Sequence, residues 1–217
     1  SLSPTLGHDF SILRIPFGFL TSGKIGKVDM RKILILFAHP KFEQSDVNYA
    51  LIQSIRNLEN VHVRDLYELY PDFNIDIQAE QEVLFENEVI IWHHPIYWYS
   101  CPPLLKQWID LVLEFGWAYG PGGVFLKNKY VMNVVTSGGS KEVYSEDGKN
   151  RYSMEEFLRP FEATAYLCLM RYMPHFHIGG THRMSPDEIE GKAEVYRNLI
   201  LTLRDSESVD FPYIQKS

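Results

Sequence analysis

The run Lys32-Ile33-Leu34-Ile35-Leu36-Phe37-Ala38 constrains the fold more than any other stretch of the chain. It is of strand length and apolar at consecutive positions. A strand sends successive side chains to opposite faces, so a run that is apolar on both must be covered on both. Glu88-Val89-Ile90-Ile91-Trp92-His93-His94 and Lys129 to Thr136 repeat the pattern, and Val61 to Leu66 and Met173 to Ile178 are further strand candidates. Helical patterns stand between them: Ser45 to Leu58, Ala79 to Phe85, and a stripe Leu104, Leu105, Trp108, Ile109, Leu111, Val112, Phe115 behind Pro102-Pro103. Ser153 with Glu156 forms a capping box for another helix, in which Pro160 is expected to cause a kink or a split. Ser185-Pro186-Asp187-Glu188 starts the last helix. Alternation through about five strand–helix units implies a parallel sheet between two helix layers.

Residues 1–29 read differently, with scattered apolar residues among Pro16, Gly18, Gly23 and Gly26. Arg14 interrupts the apolar part and no cleavage site follows, so the segment is a poor signal peptide. It is expected to be an N-terminal extension, or a segment that reflects only the choice of start, ahead of a single domain over 30–217. The whole chain of 217 residues carries 21 Lys plus Arg against 28 Asp plus Glu, a net charge of −7. That balance argues against a nucleic-acid partner and against a polybasic lipid anchor. Its apolar runs stop short of the roughly 18 residues of a membrane span. Two cysteines, Cys101 and Cys168, fit a reducing compartment, hence a cytoplasmic location.

In an open parallel sheet, ligands bind beyond the carboxyl ends of the strands, where the strand order reverses; for the order 2-1-3-4-5 this lies between the first and third strands. Three loops therefore matter. The first, His39-Pro40-Lys41-Phe42-Glu43-Gln44-Ser45-Asp46-Val47-Asn48, has no glycine, which excludes the dinucleotide turn and the Walker loop. It offers His39, Ser45, Asn48 and the free N–H groups of a helix start, which suit a phosphate, although the stretch also reads as a plain helix cap. Asp46 opposes a phosphate unless it points away. The second, Pro95-Ile96-Tyr97-Trp98-Tyr99-Ser100-Cys101-Pro102-Pro103, sets three aromatics in a row, either a wall for a planar ring or a hydrophobic plug. The third, Thr136-Ser137-Gly138-Gly139-Ser140, lets the backbone approach a ligand edge or simply turns the chain. Aromatic residues make up 14% of the chain, which suits a flat ligand as well as a core. Together the loops suggest a flat, phosphorylated ligand, best matched by a flavin nucleotide.

Ala38-His39-Pro40, Ser45 to Asn48, Pro95 to Ser100, Pro102-Pro103-Leu104-Leu105-Lys106, Gly116-Trp117-Ala118-Tyr119-Gly120 and Thr136 to Gly139 resemble the flavodoxin-like NAD(P)H:quinone oxidoreductases. Tyr70-Pro71-Asp72-Phe73-Asn74-Ile75-Asp76-Ile77 and Asn150-Arg151-Tyr152 with Leu158 to Glu162 are especially similar to the bacterial ancillary proteins of glutathione-regulated potassium-efflux (Kef) systems. The likeness covers residues 31 to about 204. It implies an α/β, flavodoxin-like three-layer α/β/α sandwich with a five-stranded parallel sheet in the order 2-1-3-4-5. It also implies a homodimer with one flavin per subunit, FMN rather than FAD, and NAD(P)H as co-substrate. By resemblance His39, Ser45, Asp46, Val47 and Asn48 hold the phosphate end. Pro95, Ile96, Tyr97, Trp98 and Tyr99 lie along the isoalloxazine ring, and Thr136, Ser137, Gly138 and Gly139 face its pyrimidine edge. Tyr119 corresponds to a tyrosine presented to the partner subunit's site, and Tyr144 to one beside the flavin that assists hydride transfer. Asn150 stands where mammalian DT-diaphorase has a histidine, which puts a Tyr–His charge relay in doubt. The implied reaction is ping-pong: a nicotinamide delivers hydride to the flavin, then a quinone or another soft electrophile takes two electrons.

Competing readings are a flavodoxin-type electron carrier, disfavoured by a phosphate loop poor in Thr and Gly, and a regulatory flavin-binding subunit of a Kef-type potassium/proton antiporter with little reductase role. The antiporter would draw the protein to the inner face of the cell membrane. His93, His94, His175, His177 and His182 invite a metal reading, but no carboxylate or Cys partner stands at metal-site spacing, so no metal is expected. Cys101 beside the aromatic loop reads as a structural thiol or a redox-sensing one, and Cys168 as core.

Overall fold

The computed structural model describes residues 30–206; the proposed extension over 1–29 lies outside them. The apolar runs form strands β1 (Ile33–Phe37), β2 (Val61–Asp65), β3 (Val89–Pro95) and β4 (Tyr130–Ser137). All pairings are parallel, and the sheet order is β2-β1-β3-β4-β5, with β5 spanning Arg171–Tyr172. A further strand, β6 (Phe176–Gly179), also pairs with β4, in register from Val134↔Phe176 to Ser137↔Gly179. In place of the single fifth strand expected over Met173 to Ile178, two short segments lie along one neighbour, β5 ahead of that range and β6 at its end. Pro174 separates them because proline has no N–H to give the ladder.

The helices are α1 (Asp46–Ile55), α2 (Leu66–Leu69), α3 (Ile77–Glu86), α4 (Pro103–Val112), α5 (Met154–Leu167) and α6 (Pro186–Asp205). They cover both faces, as the strands demand. Ile33, Ile35 and Phe37 pack with Leu51 and Ile55 of α1 and Tyr196 and Ile200 of α6. The alternate residues Leu34 and Leu36 pack with Leu84 of α3, Trp108 of α4 and Leu158 and Phe161 of α5. Capping boxes at Ser153–Glu156 and Ser185–Glu188 start α5 and α6 as their sequences specify.

Two local expectations are corrected. Pro160 does not split α5, which runs unbroken to Leu167. Pro160 lies on the exposed face, where water can reach the carbonyl its ring leaves unpaired. Leu66 does not end the strand expected over Val61 to Leu66 but starts the one-turn helix α2; Asp65 caps it by accepting from Tyr67 N–H and Glu68 N–H. Below it, the buried Glu80 carboxylate pairs with Arg64 and accepts from Tyr70 O–H at 2.5 Å and Trp108 N–H at 2.9 Å. This cluster anchors the Tyr70–Asn74 loop away from the cleft.

Candidate functional site

A cleft of about 440 Å³ opens beyond the carboxyl ends of β1, β3 and β4. Its floor is the first loop. Ser45 caps α1, its Oγ accepting from Asn48 N–H at 3.4 Å. The preceding amides of Asp46 and Val47 are left without intrahelical partners by the geometry of a helix start. His39 lies above them, buried, and burial holds its pKa below the ordinary histidine value. Its Nδ1 accepts from Lys41 N–H at 3.2 Å, which leaves the proton on Nε2 as a donor. Lys41 and Gln44 line the same wall. Asp46 lines it too and is exposed, so its carboxylate stays hydrated.

Asn48 is only 2% exposed and belongs to the wall's foundation. Its amide donates to Ser45 Oγ at 2.8 Å and to Thr136 Oγ1 at 3.1 Å. Its carbonyl oxygen faces His93 Nε2 at 3.1 Å, and His93 Nδ1 faces the Tyr196 hydroxyl at 3.1 Å. One assignment satisfies every group: Tyr196 O–H donates to Nδ1, and Nε2–H donates to Asn48. His93 is then neutral, consistent with burial lowering its pKa to about 3. The network ties the first loop to the third across the sheet.

The aromatic loop is tied likewise. Ile96 N–H donates to Thr136 O at 2.8 Å. His94 Nδ1 lies 3.0 Å from Pro95 O, its Nε2 3.0 Å from Asn133 Nδ2, and Asn133 Oδ1 accepts from Tyr172 O–H at 2.6 Å. Burial lowers the pKa of His94 to about 4. Pro95, Ile96 and Tyr97 line the cleft. Trp98 and Tyr99 do not; they form the centre of a tight turn closed by Tyr97 N–H to Ser100 O and Ser100 N–H to Tyr97 O. Their φ values are 48° and 63°, left-handed backbone that costs a non-glycine residue about 1–2 kcal/mol. Trp98 is 93% exposed, and Tyr99 stacks on Phe157 at 5.0 Å.

Thr136, Ser137 and Gly138 form the third side. A Cβ on Gly138 would lie 2.6 Å from the His182 ring, so glycine keeps this edge of the cleft open. Gly139 packs against Tyr144, whose Cε2 would be 3.2 Å from a Cβ there. Tyr144 is half-buried in the loop after the turn Lys141–Val143 and lies outside the cleft lining, as does Asn150, whose N–H donates to Val143 O at 3.0 Å. Tyr119 is remote, packed edge-on to Phe115 at 5.7 Å. Thr181, His182 and Met184 of the loop between β6 and α6, with Ile189 in the first turn of α6, complete the cleft. Sequence reasoning missed this side, although the rule of carboxyl ends, applied to the fifth strand, points to it.

The histidines are dispersed: His93, His94 and His177 serve separate hydrogen-bond networks, His175 faces Glu155 at 3.8 Å, and His182 lines the cleft. Among the described residues no group of three or more His, Cys, Asp or Glu is placed to hold a metal ion. Cys101 is half-buried and Cys168 buried; burial raises both thiol pKa values, that of Cys168 to about 11, so neither is a ready nucleophile.

The flavodoxin-like fold family model matches residues 31–200. The chain belongs to the flavodoxin-like family. Within it, the chain is 48% identical over 165 residues to the glutathione-regulated potassium-efflux system ancillary protein KefG of Pectobacterium carotovorum, covering 76% of this chain and 90% of that protein. Among solved structures, general stress protein 14 of Treponema denticola in complex with FMN is 39% identical, with a TM-score of 0.77 over 80% of this chain and 99% of that one. An NADPH-quinone reductase of P. pentosaceus is 28% identical, with a TM-score of 0.72 over 82% and 99%. This flavodoxin-like chain has no helix, among the described residues, that is long and apolar enough to cross a membrane.

Proposed function

We propose that the chain binds FMN in this cleft, works as an NAD(P)H:quinone oxidoreductase, and serves as an ancillary subunit of a Kef-type potassium/proton antiporter. The observation that carries the reading is the meeting, at one topological switch point, of a helix start, neutral donors, the Tyr97 ring and a glycine edge. The residues fit the group. His39 Nε2–H, the Ser45 hydroxyl, the first amides of α1 and the Lys41 cation suit a phosphate. Tyr97 offers a ring face, and Gly138 has no side chain where a ring edge would approach. FMN is favoured over FAD because the 39%-identical relative was solved with FMN.

When bound, the flavin supplies a two-electron carrier, for an overall balance of NAD(P)H + H⁺ + quinone → NAD(P)⁺ + hydroquinone, with the two substrates using one pocket in turn. The protein contributes position and electrostatics. Backbone N–H groups of the Ser137–Gly139 turn would hold the flavin edge on which negative charge grows on reduction. Tyr144, packed on Gly139, holds or passes a proton at its phenol oxygen. Asn150 orients its loop but has no titratable group to form a charge relay with Tyr144. Tyr119, half-buried, reaches the partner's site in a homodimer, and Trp98 and Tyr99 are exposed aromatics beside the cleft.

Steady-state oxidation of NADH and NADPH by the FMN-saturated full chain, with a soluble benzoquinone as acceptor, tests the reaction. Parallel double-reciprocal lines are expected; intersecting lines contradict the ping-pong order, and absence of quinone-dependent oxidation removes the enzyme reading. The similarity to KefG supports a second reading, a regulatory flavin-binding subunit with little reductase role. Potassium efflux measured with Tyr144→Phe separates them: retained activation together with lost reductase activity favours regulation alone. Sedimentation tests the homodimer, and cell fractionation tests a cytoplasmic protein recruited to the inner face of the membrane.

A further inference from the structure

The third loop is held from beneath by a residue that the cleft itself does not expose. Ser137 Oγ lies 2.7 Å from Gly139 O and 2.8 Å from His177 Nε2. A hydroxyl has one proton, and a carbonyl oxygen can only accept, so Ser137 O–H donates to Gly139 O and His177 Nε2–H donates to Ser137 Oγ. Gly139 O accepts a second bond, from Gly180 N–H at 2.8 Å. The Ser137–Gly139 turn is therefore clamped to β6 and to the loop that follows it. His177 is buried on β6, opposite Val135 of β4. Its ring meets Tyr144 edge to face, with centroids 5.3 Å apart and planes at 89°. Tyr144 is thereby enclosed by His177, Gly139 and Phe157.

We infer that His177 is a positioning residue with two separable tasks: its Nε2–H fixes the Ser137–Gly139 backbone against the flavin edge, and its ring fixes Tyr144 beside that edge. The inference rests on the flavin reading above, and its test includes a measurement that needs no flavin.

Two variants of the full chain divide the tasks. His177→Phe keeps a ring and loses the donor; His177→Gln keeps an N–H donor and loses the ring. In His177→Phe the FMN dissociation constant is expected to rise about tenfold, the loss of roughly one net hydrogen bond. Amide exchange at Gly180 in the flavin-free protein is expected to quicken by a similar factor. In His177→Gln both are expected to stay within about twofold of the parent, a factor that corresponds to well under one hydrogen bond, while kcat falls about tenfold through the displaced Tyr144. Parent-like FMN affinity and Gly180 exchange in His177→Phe overturn the donor role. Equal weakening in both variants reduces His177 to packing and also overturns it. A parent-like kcat in His177→Gln overturns the tyrosine role. If the parent takes up no FMN, the proposed function falls, and exchange at Gly180 still decides the clamp: faster in the Phe variant alone upholds it, and the same in all three chains refutes it.

Discussion

Asn48→Ala probes the joint between the first and third loops. Asn48 donates to Ser45 Oγ and Thr136 Oγ1 and accepts from His93 Nε2–H, all within 3.1 Å. Truncation strands the His93 N–H in a fully buried site, at a cost of about 1–3 kcal/mol. The two lost donor bonds remove about 0.5–1.5 kcal/mol each, less at Ser45, which is half-buried and within reach of water. The expected loss is about 2–4 kcal/mol. With a urea slope of about 2 kcal/mol/M, the unfolding midpoint falls by about 1–2 M. Fluorescence of the buried Trp92 and Trp108 follows the transition. Tyr196→Phe, which removes only the donor to His93 Nδ1, should cost about 1 kcal/mol, and the double variant less than the sum, because both act on one ring. A midpoint within about 0.3 M of the parent for Asn48→Ala, on the same slope, refutes the network as the joint between the loops.

Acid should destabilise the fold through its buried imidazoles. His93, His94 and His177 have pKa values lowered by burial to about 3, 4 and 4. Below about pH 6.5 the unfolded chain binds protons that the folded chain refuses, so stability is full above that pH and falls toward pH 4, each group adding up to about 1.4 kcal/mol per pH unit. A urea midpoint that is flat between pH 7 and 5 contradicts this. Glu80→Ala should cost about 3–5 kcal/mol, because it leaves the half-buried Arg64 without its carboxylate and the Trp108 N–H without its acceptor; a loss under about 1 kcal/mol in thermal unfolding would mean that the cluster relaxes. Trp98→Gly should leave stability unchanged or raise it by up to about 1 kcal/mol, because glycine relieves a left-handed residue whose ring is almost fully exposed; a clear loss would show that the indole packs against something.

The sheet was legible because its central strands carry apolar residues on both faces, a pattern that partial exposure would have broken. The last strand was not, because Pro174 cuts it and its two halves are too short to show a period. The blurred fifth strand hides one side of the site as well: its carboxyl end leads to Thr181, His182 and Ile189 of the cleft, of which only His182 stands out by residue type, and then as a metal ligand. Residue types gave the cleft's chemistry but not the assignment of bonds. Asn48 and Thr136 looked like ligand contacts from their position, yet in the fold their polar atoms face His93, Ser45 and one another. Of the five histidines that invite a metal reading by residue type, His93, His94 and His177 each brace one cleft loop, an arrangement visible only when strand register is known. The turn Tyr97–Ser100 read as three aromatics in a row; left-handed backbone at Trp98 and Tyr99 is what directs only the first into the cleft lining.

The central claim is that FMN occupies this cleft. The most direct test is a fluorescence titration of the flavin-free full chain with FMN, run beside Gly138→Leu, whose Cβ would already meet the His182 ring at 2.6 Å. Equimolar, saturable quenching by the parent is expected, with affinity at least about tenfold weaker in the variant, a difference of about 1.4 kcal/mol. A parent that takes up no FMN, or a Gly138→Leu chain that binds it equally well, contradicts the account.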